Sequence, residues 1–150
     1  MTRNLLESGA REAIIARLRR LTPESRPLWG TLDAARCVAH LSDSFRITFG
    51  ELTPEFKPNF LSTPLGRWLI IESPMPWPKA KIKVPPVFFT TPPPADFTEG
   101  IDALVARVER FARPDQEQWG ASPAFGNLSP AQWARLGGRH LDHHLRQFGC

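Results

Sequence analysis

Residues 129–149, SPAQWARLGGRHLDHHLRQFG, constrain this chain more than any other stretch. They specify one long amphipathic helix and hold three of the four histidines. Ser129 is a good N-cap, Pro130 suits the first helical position, and Gln132 completes a capping box. Leu128 and Trp133 stand where a hydrophobic staple needs them, and Gly149 where a left-handed turn would end the helix. At ~100° per residue, Trp133, Leu136, Leu141, Leu145 and Phe148 share one broad apolar face, with Arg135, Asp142 and Arg146 pointing away. His140 and His144 lie inside that face, only about 40° apart, while His143 falls toward its edge. Imidazoles four residues apart can offer two nitrogens to one metal ion. The same spacing fits two hydrogen-bonded core histidines, so this helix alone leaves both readings open.

Three further amphipathic helices are legible. The first runs from about Leu5 to Arg20, burying Ala10, Ile14, Leu18 and Leu21 and leaving Arg11, Arg17, Arg19 and Arg20 largely outside. The second is capped by Asp33, buries Ala34, Val38, Leu41, Phe45 and Phe49, and ends at Gly50. His40 lies beside that stripe, in line with Arg36, Ser44 and Ile47; by pattern alone it is an edge histidine that either meets solvent or lines a pocket between helices. The third is capped by Thr98, carries Glu99 in its first turn, and buries Ile101, Leu104, Val105, Val108 and Phe111 before Pro114.

Between the second and third of these helices the pattern is weaker. Leu65–Ile71 fits a short helix or a strand equally. From Ser73 to Phe97 prolines are too dense for a long helix or a central strand. Trp77, Val87, Phe88 and Phe89 suggest that part of this long loop packs back on the body. Lys79, Lys81 and Lys83 alternate along it, either as a solvated edge or as an attraction for an anionic substrate.

A chain of 150 residues with 41% hydrophobic and 23% charged residues is expected to form one domain spanning 1–150. No apolar run approaches the ~18 residues of a membrane span, and the N-terminus lacks the compact apolar region of a signal peptide, so a cytoplasmic protein is expected. Cys37 reads as a core residue, and its pairing with Cys150 is not expected. The net charge of +4 comes from basic residues spread along the chain. Without a basic block, no nucleic-acid partner is expected.

The fold class expected is all-α: a four-helix bundle with a long proline-rich loop between the second and third main helices. Bundles assemble metal sites from side chains on facing helices, which makes His40 the candidate third ligand beside His140 and His144. Counted from their caps, His40 is near position seven and the pair near eleven and fifteen. In flush parallel helices these positions would miss by roughly 6–12 Å, so the helices must stagger or tilt.

The segments CVAHLSDSF, with His40, and RHLDHHLRQFG, with His140, His144 and a trailing Gln147, resemble the DinB/YfiT-like superfamily. In that superfamily a histidine on the second bundle helix joins an HxxxH pair on the last. PAFGNLSPAQW is similar to one branch of uncharacterised function, in which a histidine often stands where this chain has Ser122. The resemblance covers nearly the whole chain in helix order and is weakest across the proline-rich loop. It implies a bound divalent metal, thiol-dependent transfer in some members, and a homodimer.

Three neutral imidazoles would leave zinc or nickel with open positions for water or substrate, and a low-molecular-weight thiol is a second candidate cofactor. The expected function is therefore a metal-dependent enzyme, a hydrolase or a thiol-dependent transferase, acting on a small-molecule substrate. Ser44 and Gln147 are candidates to orient water or substrate, and His143 to support the ligands from outside, although each is equally a helix-surface polar residue. Arg139 and Arg146 are candidates for an anionic group under the same reservation. The alternative is a noncatalytic bundle that binds a metal or a small ligand.

Overall fold

The computed structural model describes residues 3–79 and 91–150. The expectations placed on Lys81, Lys83, Val87, Phe88 and Phe89 lie outside the described residues. The chain is mostly helical: α1 (Ser8–Leu18), α2 (Ala34–Thr48), α3 (Pro64–Arg67), α4 (Phe97–Glu109) and α5 (Pro130–Gln147). A π-helical turn, Trp68–Glu72, continues α3. Ala121–Ser122 (β1) and Gly126–Asn127 (β2) form a small antiparallel hairpin before α5. No helix among the described residues is long and apolar enough to cross a membrane.

The caps explain most of these boundaries. Asp33 accepts a hydrogen bond from Arg36 N, and Ser129 and Gln132 form the reciprocal capping box that starts α5. Gly149 takes φ 72°, the left-handed turn expected after that helix. The ambiguous segment at 65–71 is helical. Thr63 accepts from Gly66 N and Pro64 occupies the first turn, so local capping outweighs the apolar run. One expected cap is wrong: α4 starts at Phe97, and Asp96, not Thr98, accepts from Glu99 N. Both residue types can cap, and the carboxylate two residues upstream claims the first turn.

Each of α1 and α2 packs against both α4 and α5. Named contacts give the directions. Leu5 N bonds Ala134 O near the start of α5, and Arg17 reaches Asp142 and the Cys150 carbonyl near its end, so α1 and α5 run parallel. Arg11 meets Glu109 and Arg19 meets Asp102, so α4 runs against α1. Gln147 reaches the Trp29 carbonyl ahead of α2, whereas Gly120, which accepts from Trp133 near the start of α5, donates to Thr48 O at the end of α2. Helices α2 and α5 are therefore antiparallel, and α2 runs with α4. Residues 49–96 must then return along the length of α2, ~22 Å at 1.5 Å per residue.

The core lies between the four longer helices and includes Leu18, Val38, Leu41, Phe45, Leu104, Val108, Leu141 and Leu145, all nearly inaccessible. Cys37 joins it, and burial pushes its thiol well above the usual range, which leaves it inert as a nucleophile. Gly138 permits the closest approach: a Cβ there would stand 1.7 Å from the Arg3 carbonyl oxygen. Three charged residues expected to point outward point inward instead. Arg11 donates to the Leu5 carbonyl at 2.7 Å, Arg139 is buried, and Asp142 binds Arg3 and Arg17 at 3.0 and 2.8 Å. The N-terminal segment and the crossing segment supply these partners, and neither is visible in the periodicity of one helix.

The reassigned cap gives a direct test. Asp96→Ala should cost about 1 kcal/mol in urea unfolding, the usual loss for an N-cap. Thr98→Ala should change the midpoint little, and the reverse ranking would restore Thr98 as the cap.

Candidate metal centre

Helix α2 presents His40, and α5 presents His140 and His144. His40 was expected at the edge of its stripe, but it is only 3% exposed. The flank of α2 that carries it faces α5, so the position is interior although it lies beside the apolar row. Its Nε2 is 2.9 Å from His140 Nε2, which is 3.1 Å from His144 Nε2. One ligand atom from each histidine lies within 4.8 Å of those of the other two. The anticipated stagger is unnecessary because α2 and α5 are antiparallel. His40 is seventh from the Asp33 cap, while His140 and His144 are eighth and fourth counted back from the C-cap, Phe148.

The hydrogen-bond pattern fixes what one of these rings offers. Gln147 Nε2 donates to the Trp29 carbonyl at 2.8 Å, so its Oε1 is the atom that faces His144 Nδ1 at 2.9 Å. An amide oxygen only accepts, hence Nδ1 carries the hydrogen and a neutral His144 turns a bare Nε2 toward the other histidines. A single N–H on His140 Nε2 cannot bridge both neighbours. The convergence is therefore poorly served by hydrogen bonds among the rings alone, and it suits a shared cation. Nitrogens ~2.05 Å from one ion stand ~2.9 Å apart at a right angle and ~3.3 Å apart at a tetrahedral angle. The two Nε2 contacts, 2.9 and 3.1 Å, lie within that span.

Burial favours the neutral form of His140 and His144. It is the main cause holding His140 well below the usual imidazole range, reinforced by His40 and His144. Burial and then His40 bring His144 down to about 3, with the Gln147 hydrogen bond acting weakly in the other direction. Among the described residues no carboxylate joins the three histidines in the cluster. Asp142 is bound by its two arginines, and the fully buried Asp43 meets Arg46 at 3.1 Å and Thr91 at 2.8 Å through one of its carboxylate oxygens.

The remaining expected residues separate clearly. Gln147 touches the cluster. Ser44 donates to the main-chain oxygen of His40 at 3.0 Å, so its hydroxyl is occupied within α2. His143 sits edge-on to His144, with ring centroids 5.2 Å apart, and beside Trp29 and Trp77 at 6.1 and 5.8 Å. Burial is the main cause that lowers its pKa, and Arg146 adds to it. Ser122 accepts from Ala124 N and Phe125 N in the hairpin. Asp33 is a cap and nothing more is required of it. Arg139 donates to the Ser73 and Met75 carbonyls, holding the crossing segment against α5.

Two residues beside the centre were not read as part of it. Trp77 donates to Ile70 O at 3.0 Å and lies 5.9 Å from His140, centroid to centroid. Trp29 contacts His143 and supplies the carbonyl for Gln147. The signal available was the presence of large apolar groups in loops otherwise rich in proline, which marks chain that packs on the body.

The family described as Protein of unknown function (DUF1569) matches residues 1–149, and the chain belongs to it. No curated protein and no solved structure matches.

The lowered imidazole pKa values set a pH dependence. In the unfolded chain these histidines take up protons as pH falls below about 6.5, while native His144 does so only near about 3. The native metal-free protein should therefore lose stability through that window, by up to ~1.4 kcal/mol per pH unit for each such group. Thermal melts of metal-free protein from pH 7 to 4 should show a falling Tm, and His144→Gln a shallower fall. Equal slopes would contradict the buried neutral state of His144.

Proposed function

We propose that this chain is a metal-dependent enzyme in which His40, His140 and His144 hold one divalent ion, zinc or nickel, within a four-helix bundle of α1, α2, α4 and α5. The observation that carries the reading is the convergence of three Nε2 atoms, with the tautomer of His144 set by Gln147. An imidazole ligand whose other nitrogen is hydrogen-bonded is the usual arrangement around a protein-bound metal. Burial lowers the pKa of both His140 and His144, so neither holds a competing proton near pH 7, and the three residues belong to two helices whose packing fixes their separation. The helix order and the motif residues on α2 and α5 support placing the chain with the DinB/YfiT-like superfamily.

A divalent ion held by His40, His140 and His144 would supply Lewis-acid chemistry toward water, a thiol or a carbonyl oxygen. Around it, Gln147 orients His144, and Trp77 covers His140 on the side of the crossing segment. The reaction proposed is hydrolysis, or transfer to a low-molecular-weight thiol, on a small molecule. Ser44 is left out of the machinery, because its hydroxyl is satisfied by the His40 carbonyl.

Elemental analysis of protein reconstituted with zinc or nickel and then dialysed should find about one ion per chain, as for a single three-ligand site. His40→Ala, His140→Ala and His144→Ala should each reduce it nearly to zero. Gln147→Leu should weaken binding by about 10–100-fold, the usual effect of removing a partner that orients a ligand. A full equivalent retained by His40→Ala would exclude the three-histidine centre. Full loading without turnover in ester-hydrolysis and thiol-transfer screens would favour a noncatalytic binding bundle.

A further inference from the structure

Beside the histidine cluster the surface opens into a cleft of about 240 Å³ lined by Trp29, Trp77, Lys79, His143, Arg146 and two prolines. A smaller recess continues it toward Arg3 and Arg139, sharing Trp77, His143 and Arg146. The volume lies below the roughly 300 Å³ at which pockets for drug-sized ligands begin, so it suits a molecule of one or two rings.

Its walls are held in place. Trp77 is fixed by its hydrogen bond to Ile70 O, and Arg139 pins the adjoining main chain through the carbonyls of Ser73 and Met75. Trp29 carries the Lys79 ammonium over its ring, 4.8 Å from the centroid. Lys79 and Arg146 are exposed and form no ion pair with any described residue. Residues 80–90, AKIKVPPVFFT, include no acidic side chain, so they hold none that could neutralise these cations. The one carboxylate at the margin, Asp142, is bound by Arg3 and Arg17. A cleft with aromatic walls and uncompensated positive charge favours a ligand that is planar and apolar at one end and anionic at the other.

We propose that this cleft binds a small aromatic carboxylate, its ring against the tryptophans and its carboxylate taken by Lys79 and Arg146. As the substrate-holding side of the histidine centre, this assignment rests on the function proposed above; the ligand chemistry follows from the cleft alone. His143, between the two indoles, then forms part of the wall shared by ligand and cluster. The ring is recognised by shape and contact, and the charge by two donors on different segments, α5 and the crossing strand of chain.

The test uses naphthalene-2-carboxylate as probe, followed by calorimetry on the full chain with and without zinc. Saturable one-to-one binding is expected in both forms, with naphthalene-2-methanol at least about tenfold weaker and acetate showing no saturation. Lys79→Gln and Arg146→Gln should each weaken the carboxylate roughly two- to fivefold and leave the alcohol unchanged, the scale of exposed charge contacts. Equal affinity for acid and alcohol, or binding indifferent to both substitutions, overturns the inference. Zinc uptake without probe binding also overturns it and leaves the metal reading intact. Probe binding that depends on Lys79 and Arg146, in protein that takes up neither zinc nor nickel, keeps the cleft and removes the metal reading.

Discussion

The antiparallel seating of α2 on α5 is the constraint on which the candidate centre depends. It sets the seventh position of one helix opposite the last two turns of the other, and so brings His40 to within 2.9 Å of His140. The register is held at both ends. Gln147 ties the end of α5 to the Trp29 carbonyl, and Gly120 links Thr48 to the start of α5. Gln147 does two things with one amide, since the nitrogen that anchors the register leaves the oxygen to orient His144. A shift of one turn, ~5.4 Å, would break the anchor and the cluster together.

The same directions account for the proline-rich region. Because α2 and α4 run parallel, the chain between them has to travel back along the body, and residues 72–77 lie over α5. Arg139 receives its carbonyls, Arg135 pairs with Glu72, and Trp77 closes over His140 and His143. Prolines suit such a path because each removes a main-chain donor that a helix or sheet would otherwise have to satisfy. At its far end Thr91 and Arg46 meet the buried Asp43, which fastens the returning chain to α2 before α4 begins.

How much of this was legible follows from which signals are local. The limits of α5, its capping box and the inward pair His140 and His144 are set within one helix, and periodicity finds them. His40 is different. Its helix has two buried neighbours, α4 and α5, and the apolar stripe records the larger contact while a polar side chain records the smaller. Pattern alone therefore placed His40 at an edge. The direction of α2 relative to α5 was equally hidden, and a parallel assumption produced a 6–12 Å mismatch that antiparallel packing removes. Arg139 and Asp142 read as surface charges because their partners come from distant segments. Asp96 was missed in favour of Thr98 for a smaller reason: both are capping types, two residues apart, and only the main-chain bond to Glu99 distinguishes them.

The electrostatics of the two adjoining sites have the same sign for different reasons. Desolvation holds His140 and His144 neutral, and among the described residues no carboxylate joins the cluster, so on the proposed reading a bound divalent ion would keep its charge uncompensated by its ligands. Lys79 and Arg146 stand over the neighbouring cleft without acidic partners. Asp142, the acid at the margin of that cleft, is tied to Arg3 and Arg17 in holding the fold together. An anionic ligand would thus meet a favourable potential from the rim inward. A cationic one would meet repulsion at each step, which narrows the chemistry this face of the protein can accept.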